Sequence, residues 1–169
     1  MKPPIFNSII PRTFGVLSLL VLFALPTTAK SDTTHPDIYD RKADGTKQIA
    51  DALVVAKKEH KRVLLDFGAN WCSWCHKLHG VFETNAKISA ILKKHYVVVM
   101  VDVDKVDGKT HNEAVDAKYG KPSENGIPAL VILDSEGKIL TTQDTGKLED
   151  GDHHDPAKVK AFLEKWAKE

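Results

Sequence analysis

The chain has 169 residues, 42% of them apolar, which is enough for a single hydrophobic core. Its 24 basic and 23 acidic side chains nearly cancel, so no large basic patch is available and nucleic acid is not expected as a partner.

Residues 1–29 read as a cleaved secretory signal. Lys2 and Arg12 are their only charges, and the apolar run from Phe14 to Leu25 falls short of the ~20 residues a bilayer span requires. Thr27-Thr28-Ala29 then supplies small residues at a cleavage position. The mature protein is therefore expected to be periplasmic or secreted. Residues 30–43 are polar, with scattered Pro and Asp, and read as an extended leader into one domain at 44–169.

Within that domain, Thr46 to His60 spaces Ile49, Leu53 and Val54 among charges as an amphipathic helix does. Val63 to Phe67 is a short apolar run, consistent with a buried strand. A helix is expected from Cys72, interrupted at Gly80 and continuing through Ile88, Ile91 and Leu92. Tyr96 to Val103, β-branched almost throughout, reads as a strand. Thr110 to Tyr119 reads as a helix ended by Gly120, and Lys121 to Asn125 as a loop. Ala129 to Leu133 is again a buried strand, and Asp134 to Gly137 turns it into a partner at Lys138 to Thr142. His153-His154 falls in a polar loop before Asp155-Pro156, an N-cap with proline at the first helical position, which opens a helix to Trp166. This order specifies an α/β fold, a central mixed β-sheet flanked by helices, parallel across helical crossovers and antiparallel at the last hairpin.

Both cysteines of the chain, Cys72 and Cys75, stand two residues apart at the junction between the first strand and the following helix. Thiols at i and i+3 can close a small reversible disulfide, and the first would sit among the unpaired N–H groups of a helix N-terminus. That setting favours the thiolate, the reactive form. A disulfide across two residues restricts the unfolded chain little, so a redox role outweighs a stabilising one.

With these elements in register, residues 44–168 resemble the thioredoxin superfamily, and most of all its small exported members with a Trp-Cys-x-Trp-Cys motif. The resemblance rests on Trp71-Cys72-Ser73-Trp74-Cys75, on Asp66 six residues before Cys72, on Gly80 where that family's helix usually kinks, and on Gly126-Ile127-Pro128 before a strand. It implies a thiol–disulfide oxidoreductase in which Cys72 attacks, Cys75 resolves and Asp66 accepts the proton of Cys75. It further implies that Ile127 and a cis Pro128 present backbone to substrate, with Trp71 and Trp74 beside them. Protein thiols and disulfides would be the substrates, of a monomeric reductase recharged by a membrane electron-transfer partner. No G-x-G-x-x-G fingerprint occurs, so no flavin or nicotinamide of its own is expected. Three departures stand out. Ser73-Trp74 is an uncommon dipeptide, Met100 fills a position where lysine often faces the buried acid, and Ala129 follows the proline where threonine is common.

Two other chemistries share these residues. Cys72-Ser73-Trp74-Cys75-His76 is also a C-x-x-C-H haem-attachment string, for which Met100 would be the one methionine left as second axial ligand. Cys72, Cys75, His76 and His79 line one helix face as soft ligands for copper or zinc, although four ligands from one helix surround an ion poorly.

Overall fold

In a computed structural model the described residues are 36–144 and 146–167. The expected signal segment at 1–29 lies outside them. Helix α1, Gly45–Glu59, is capped by the Asp44 carboxylate, which accepts from the Thr46 and Lys47 N–H groups. Strand β1, Arg62–Gly68, follows, and then helices α2, Ser73–Thr84, and α3, Ala86–His95. Strand β2, Tyr96–Asp102, leads into a two-stranded ribbon, β3 Lys105–Val106 and β4 Lys109–Thr110. Helix α4, Glu113–Lys118, precedes a 3₁₀ turn at Pro122–Asn125, strand β5, Ala129–Leu133, and strand β6, Ile139–Gln143. A second ribbon, β7 Glu149–Asp150 and β8 His153–His154, comes before the final helix α5, Pro156–Trp166.

The main sheet runs β2-β1-β5-β6. Strands β1 and β2 are parallel, while β5 is antiparallel to both β1 and β6. A helical connection was expected to return a parallel strand, but the segment through α4 brings β5 back antiparallel. Alternation along β1 builds two cores. Val63, Leu65 and Phe67 pack with Ile49, Ala52 and Ala56 of α1 on one face. Leu64 points to the other, where Leu78, Phe82, Ile88, Phe162 and Leu163 of α2, α3 and α5 cover the sheet. Asp66 and Gly68 share the parity of Leu64, so the one carboxylate of β1 faces the helix that carries the cysteines. The Tyr96 hydroxyl donates to the Leu163 carbonyl at 2.7 Å and ties α5 to the sheet.

The helix after Cys72 breaks at Asn85 and not at Gly80. Asn85 takes extended backbone (φ −84°, ψ 106°), ends α2, and caps α3 by accepting from the Lys87 and Ile88 N–H groups. Gly80 lies inside α2 with nothing within 4 Å of where its Cβ would be. A glycine there costs helix stability without breaking the helix. Gly80→Ala is expected to stabilise the protein by about 0.5–1 kcal/mol, read as a raised midpoint in thermal unfolding. The helix expected from Thr110 starts only at Glu113, because residues 105–110 form the β3–β4 ribbon instead. Likewise His153-His154 is not loop but strand β8.

Candidate active site

Cys72 is the N-cap residue of α2, and the Cys75 N–H donates to its sulfur at 3.1 Å. The two sulfurs are joined in a disulfide, with the Cα atoms 5.2 Å apart. Cys72 is only 5% exposed and Cys75 fully buried. Tyr39, Ile38, Trp74, Met100 and Ile127 pack around the pair and leave little of Cys72 open. The Ile127–Pro128 bond is cis, as expected. The Ile127 carbonyl oxygen lies 3.6 Å from the Cys72 sulfur.

The two tryptophans stand differently. Trp71 is 59% exposed, and its indole N–H donates to Asp104 at 2.7 Å, which fixes the ring beside the cysteines. It borders a groove of about 550 Å³ that also involves Val103, Ser123, Glu124 and Ile127. Trp74 is engaged internally. The His154 ring stands edge-on to it at 5.3 Å, and the Lys77 ammonium lies 4.3 Å over its face. His154 Nε2 is 3.1 Å from the Trp74 carbonyl, so the neutral imidazole donates there. Burial lowers the pKa of His154, which keeps that neutral form.

Asp66 is completely buried on β1, in register with Met100 of β2 and Leu130 of β5. Burial pushes its carboxyl up from 3.8 to about 7, against an opposing hydrogen bond from Tyr39. The Tyr39 hydroxyl donates to Asp66 Oδ1 at 3.1 Å, while Oδ2 has no partner among the described residues. Met100, its register partner on β2, packs against the cysteine cluster, so that among the described residues no cation stands opposite the acid there.

Sequence reasoning missed Tyr39 and Asn70. The leader is part of the site, because Asn70 Oδ1 accepts from the Ile38 and Tyr39 N–H groups at 2.9 Å each. The Asn70 amide in turn donates to the Tyr39 carbonyl at 2.9 Å. The available signal was that Ile38 and Tyr39 are the only large apolar residues in an otherwise polar leader. A second buried acid, Asp102, meets His111 Nδ1 at 2.7 Å at the end of β2.

The residues weighed for metal or haem are turned elsewhere. His76 Nε2 lies 2.7 Å from the Asn70 carbonyl, and His79 Nε2 lies 3.2 Å from Glu83. Among the described residues no group of three or more His, Cys, Asp or Glu is placed to hold a metal ion. Met100 is a strand residue packed against the cysteine cluster. These positions do not fit a haem held by His76 and Met100.

Residues 44–135 match the thioredoxin-like family model. The chain belongs to the thioredoxin-like family. Its fold is shared with a disulphide isomerase from Xylella fastidiosa Temecula1, 36% identical, with a TM-score of 0.68 over 78% of this chain and 97% of that one. A thiol:disulfide interchange protein DsbD from Vibrio vulnificus is 26% identical over 136 residues, which are 75% of this chain and 22% of that protein. Protein disulfide-isomerase 1 of Dictyostelium discoideum is 32% identical over 109 residues, 64% of this chain and 23% of its own length. The chain spans roughly a fifth of the length of these two curated relatives.

Proposed function

We propose that this protein is a thiol–disulfide oxidoreductase that reduces disulfides in exported proteins. The observation that carries the reading is the Cys72–Cys75 pair at the N-terminus of α2, with a helix N–H on the Cys72 sulfur and a buried acid on the strand behind it. In the reduced state the Cys72 thiolate attacks one sulfur of a substrate disulfide. That S–S bond breaks, one substrate thiolate leaves, and a mixed disulfide remains on Cys72. Cys75 then gives up its proton, with Asp66 as acceptor, and its thiolate attacks the Cys72 sulfur. The second substrate thiolate leaves, and the Cys72–Cys75 disulfide forms. Two electrons have passed to the substrate.

Substrate meets the protein at Trp71 and along the Ile127-Pro128 backbone, where an extended peptide can pair as a short strand. Trp74 serves this surface from behind, through its packing on His154 and Lys77. Recharging needs an external dithiol, and in an oxidising compartment a membrane electron-transfer partner suits that need. The signal-like residues 1–29 support export, and the protein would act as a monomer.

A redox titration against glutathione tests the direction. A reductase should equilibrate nearer the roughly −270 mV of thioredoxins than the roughly −120 mV of strong oxidants. A potential at the oxidising end would reverse the assignment.

A further inference from the structure

Tyr39 neighbours both the acid and the resolving cysteine. It is 1% exposed, and its hydroxyl donates to Asp66 Oδ1 at 3.1 Å. Cys75 packs in the same cluster as Tyr39. A Cβ built on Gly68 would fall 2.1 Å from the Tyr39 hydroxyl oxygen and 2.9 Å from the Cys75 sulfur, so those two atoms are no more than about 5 Å apart. Gly68 has ordinary negative-φ strand backbone, so space and not conformation calls for glycine there. Any side chain at that position would wall the phenol off from the sulfur. The phenol is also fixed to the active-site loop, since Asn70, two residues before Cys72, holds the backbone of Ile38 and Tyr39 through three hydrogen bonds.

We propose that the Tyr39 hydroxyl relays the proton of the Cys75 thiol to Asp66. This rests on the oxidoreductase reading given above. The phenol oxygen already donates its hydrogen to Asp66 and keeps a lone pair for the thiol. As the Cys75 S–H bond breaks, its proton passes to the phenol oxygen, while the phenol's own proton passes to Asp66 Oδ1. Tyr39 ends as the neutral phenol it was, Asp66 ends as a neutral carboxylic acid, and the negative charge has moved to the Cys75 sulfur. That thiolate attacks Cys72 and expels the substrate thiolate. The hop is concerted, because burial and the Asp66 charge raise the tyrosine well above its usual range and leave no free phenolate. Cys75 on α2 and Asp66 on β1 neighbour the phenol, and Asp102 of β2, paired with His111, is near enough for its charge to act on it.

Single-turnover reaction of the reduced protein with 5,5′-dithiobis(2-nitrobenzoate) separates the two steps. One thionitrobenzoate leaves as the mixed disulfide forms, and a second leaves as Cys75 resolves it. Tyr39→Phe should leave the first release unchanged, slow the second about tenfold or more near neutral pH, and remove its inflection near pH 7. Asp66→Asn should slow the same step, and the double variant should be no slower than Asp66→Asn alone. Placing 3,5-difluorotyrosine at position 39 keeps the ring's shape and should move the pH profile of the second release by about half a unit or more. A second release in Tyr39→Phe within twofold of the unsubstituted protein, slowdowns that multiply in the double variant, or an unmoved profile with the fluorinated phenol would overturn the relay. If the unsubstituted protein releases no second thiolate, the oxidoreductase reading falls first, and the relay with it.

Discussion

Cys75→Ser should accumulate covalent complexes with substrate proteins, whereas Cys72→Ser should accumulate almost none. The asymmetry follows from the helix start. Cys72 is the N-cap residue, with the Cys75 N–H directed at its sulfur, so its thiolate is stabilised by a hydrogen bond and by the helix terminus. Cys75 is fully buried one turn on, with its sulfur bonded to that of Cys72. Cys72→Ser should lower thiol–disulfide exchange activity by roughly three orders of magnitude or more, because a serine hydroxyl is not ionised at neutral pH. Cys75→Ser should still form the mixed disulfide but not release it. Non-reducing electrophoresis and mass spectrometry of the captured complexes check both halves. Equal trapping by the two variants would remove the division of labour.

The second large effect is on stability and its dependence on pH. The Asp66 carboxyl is held at about 7 in the folded protein against 3.8 ordinarily. Between those values the folded state keeps a proton that the unfolded chain has released. Stability therefore falls as pH rises from about 4 to about 7, and the loss is complete above that window. Asp66→Asn carries no charge and escapes it. The oxidised variant should gain on the unsubstituted oxidised protein by on the order of 4 kcal/mol between pH 4 and pH 8, taking about 1.4 kcal/mol per pKa unit. Guanidinium unfolding of both proteins across that range measures the difference. Parallel curves would mean that Asp66 ionises in the fold as it does in water. A buried acid that weakens the fold at neutral pH is consistent with retention for chemistry.

The main strands, the long helices and the cysteine junction were legible from apolar runs and spacing, whereas the buried acid beside the cysteines and the cis proline were implied by the resemblance to the thioredoxin superfamily. What was not legible depends on contacts between distant segments. Tyr39 reads as part of a polar leader until the side chain of Asn70, some thirty residues on, clasps its backbone. His154 reads as solvated until its ribbon packs on α2 and its ring meets Trp74. Gly80, standing where the resembled family's helix usually kinks, reads as the α2–α3 break. The cap supplied by Asn85, which satisfies two N–H groups at once, places the break instead. The antiparallel return of β5 has no local signature either, since Ala129 to Leu133 is buried throughout and would look the same in either direction.

Alkylation of the reduced protein by iodoacetamide across pH 4–10, with each cysteine quantified by peptide mass mapping, bears most directly on the Cys72–Cys75 chemistry. Cys72 should be modified first, with an apparent pKa below the ~8.5 of a free thiol, and Cys75 should stay protected until well above it. Faster modification of Cys75, or a Cys72 that titrates at or above ~8.5, would contradict the assignment of Cys72 as the attacking thiolate.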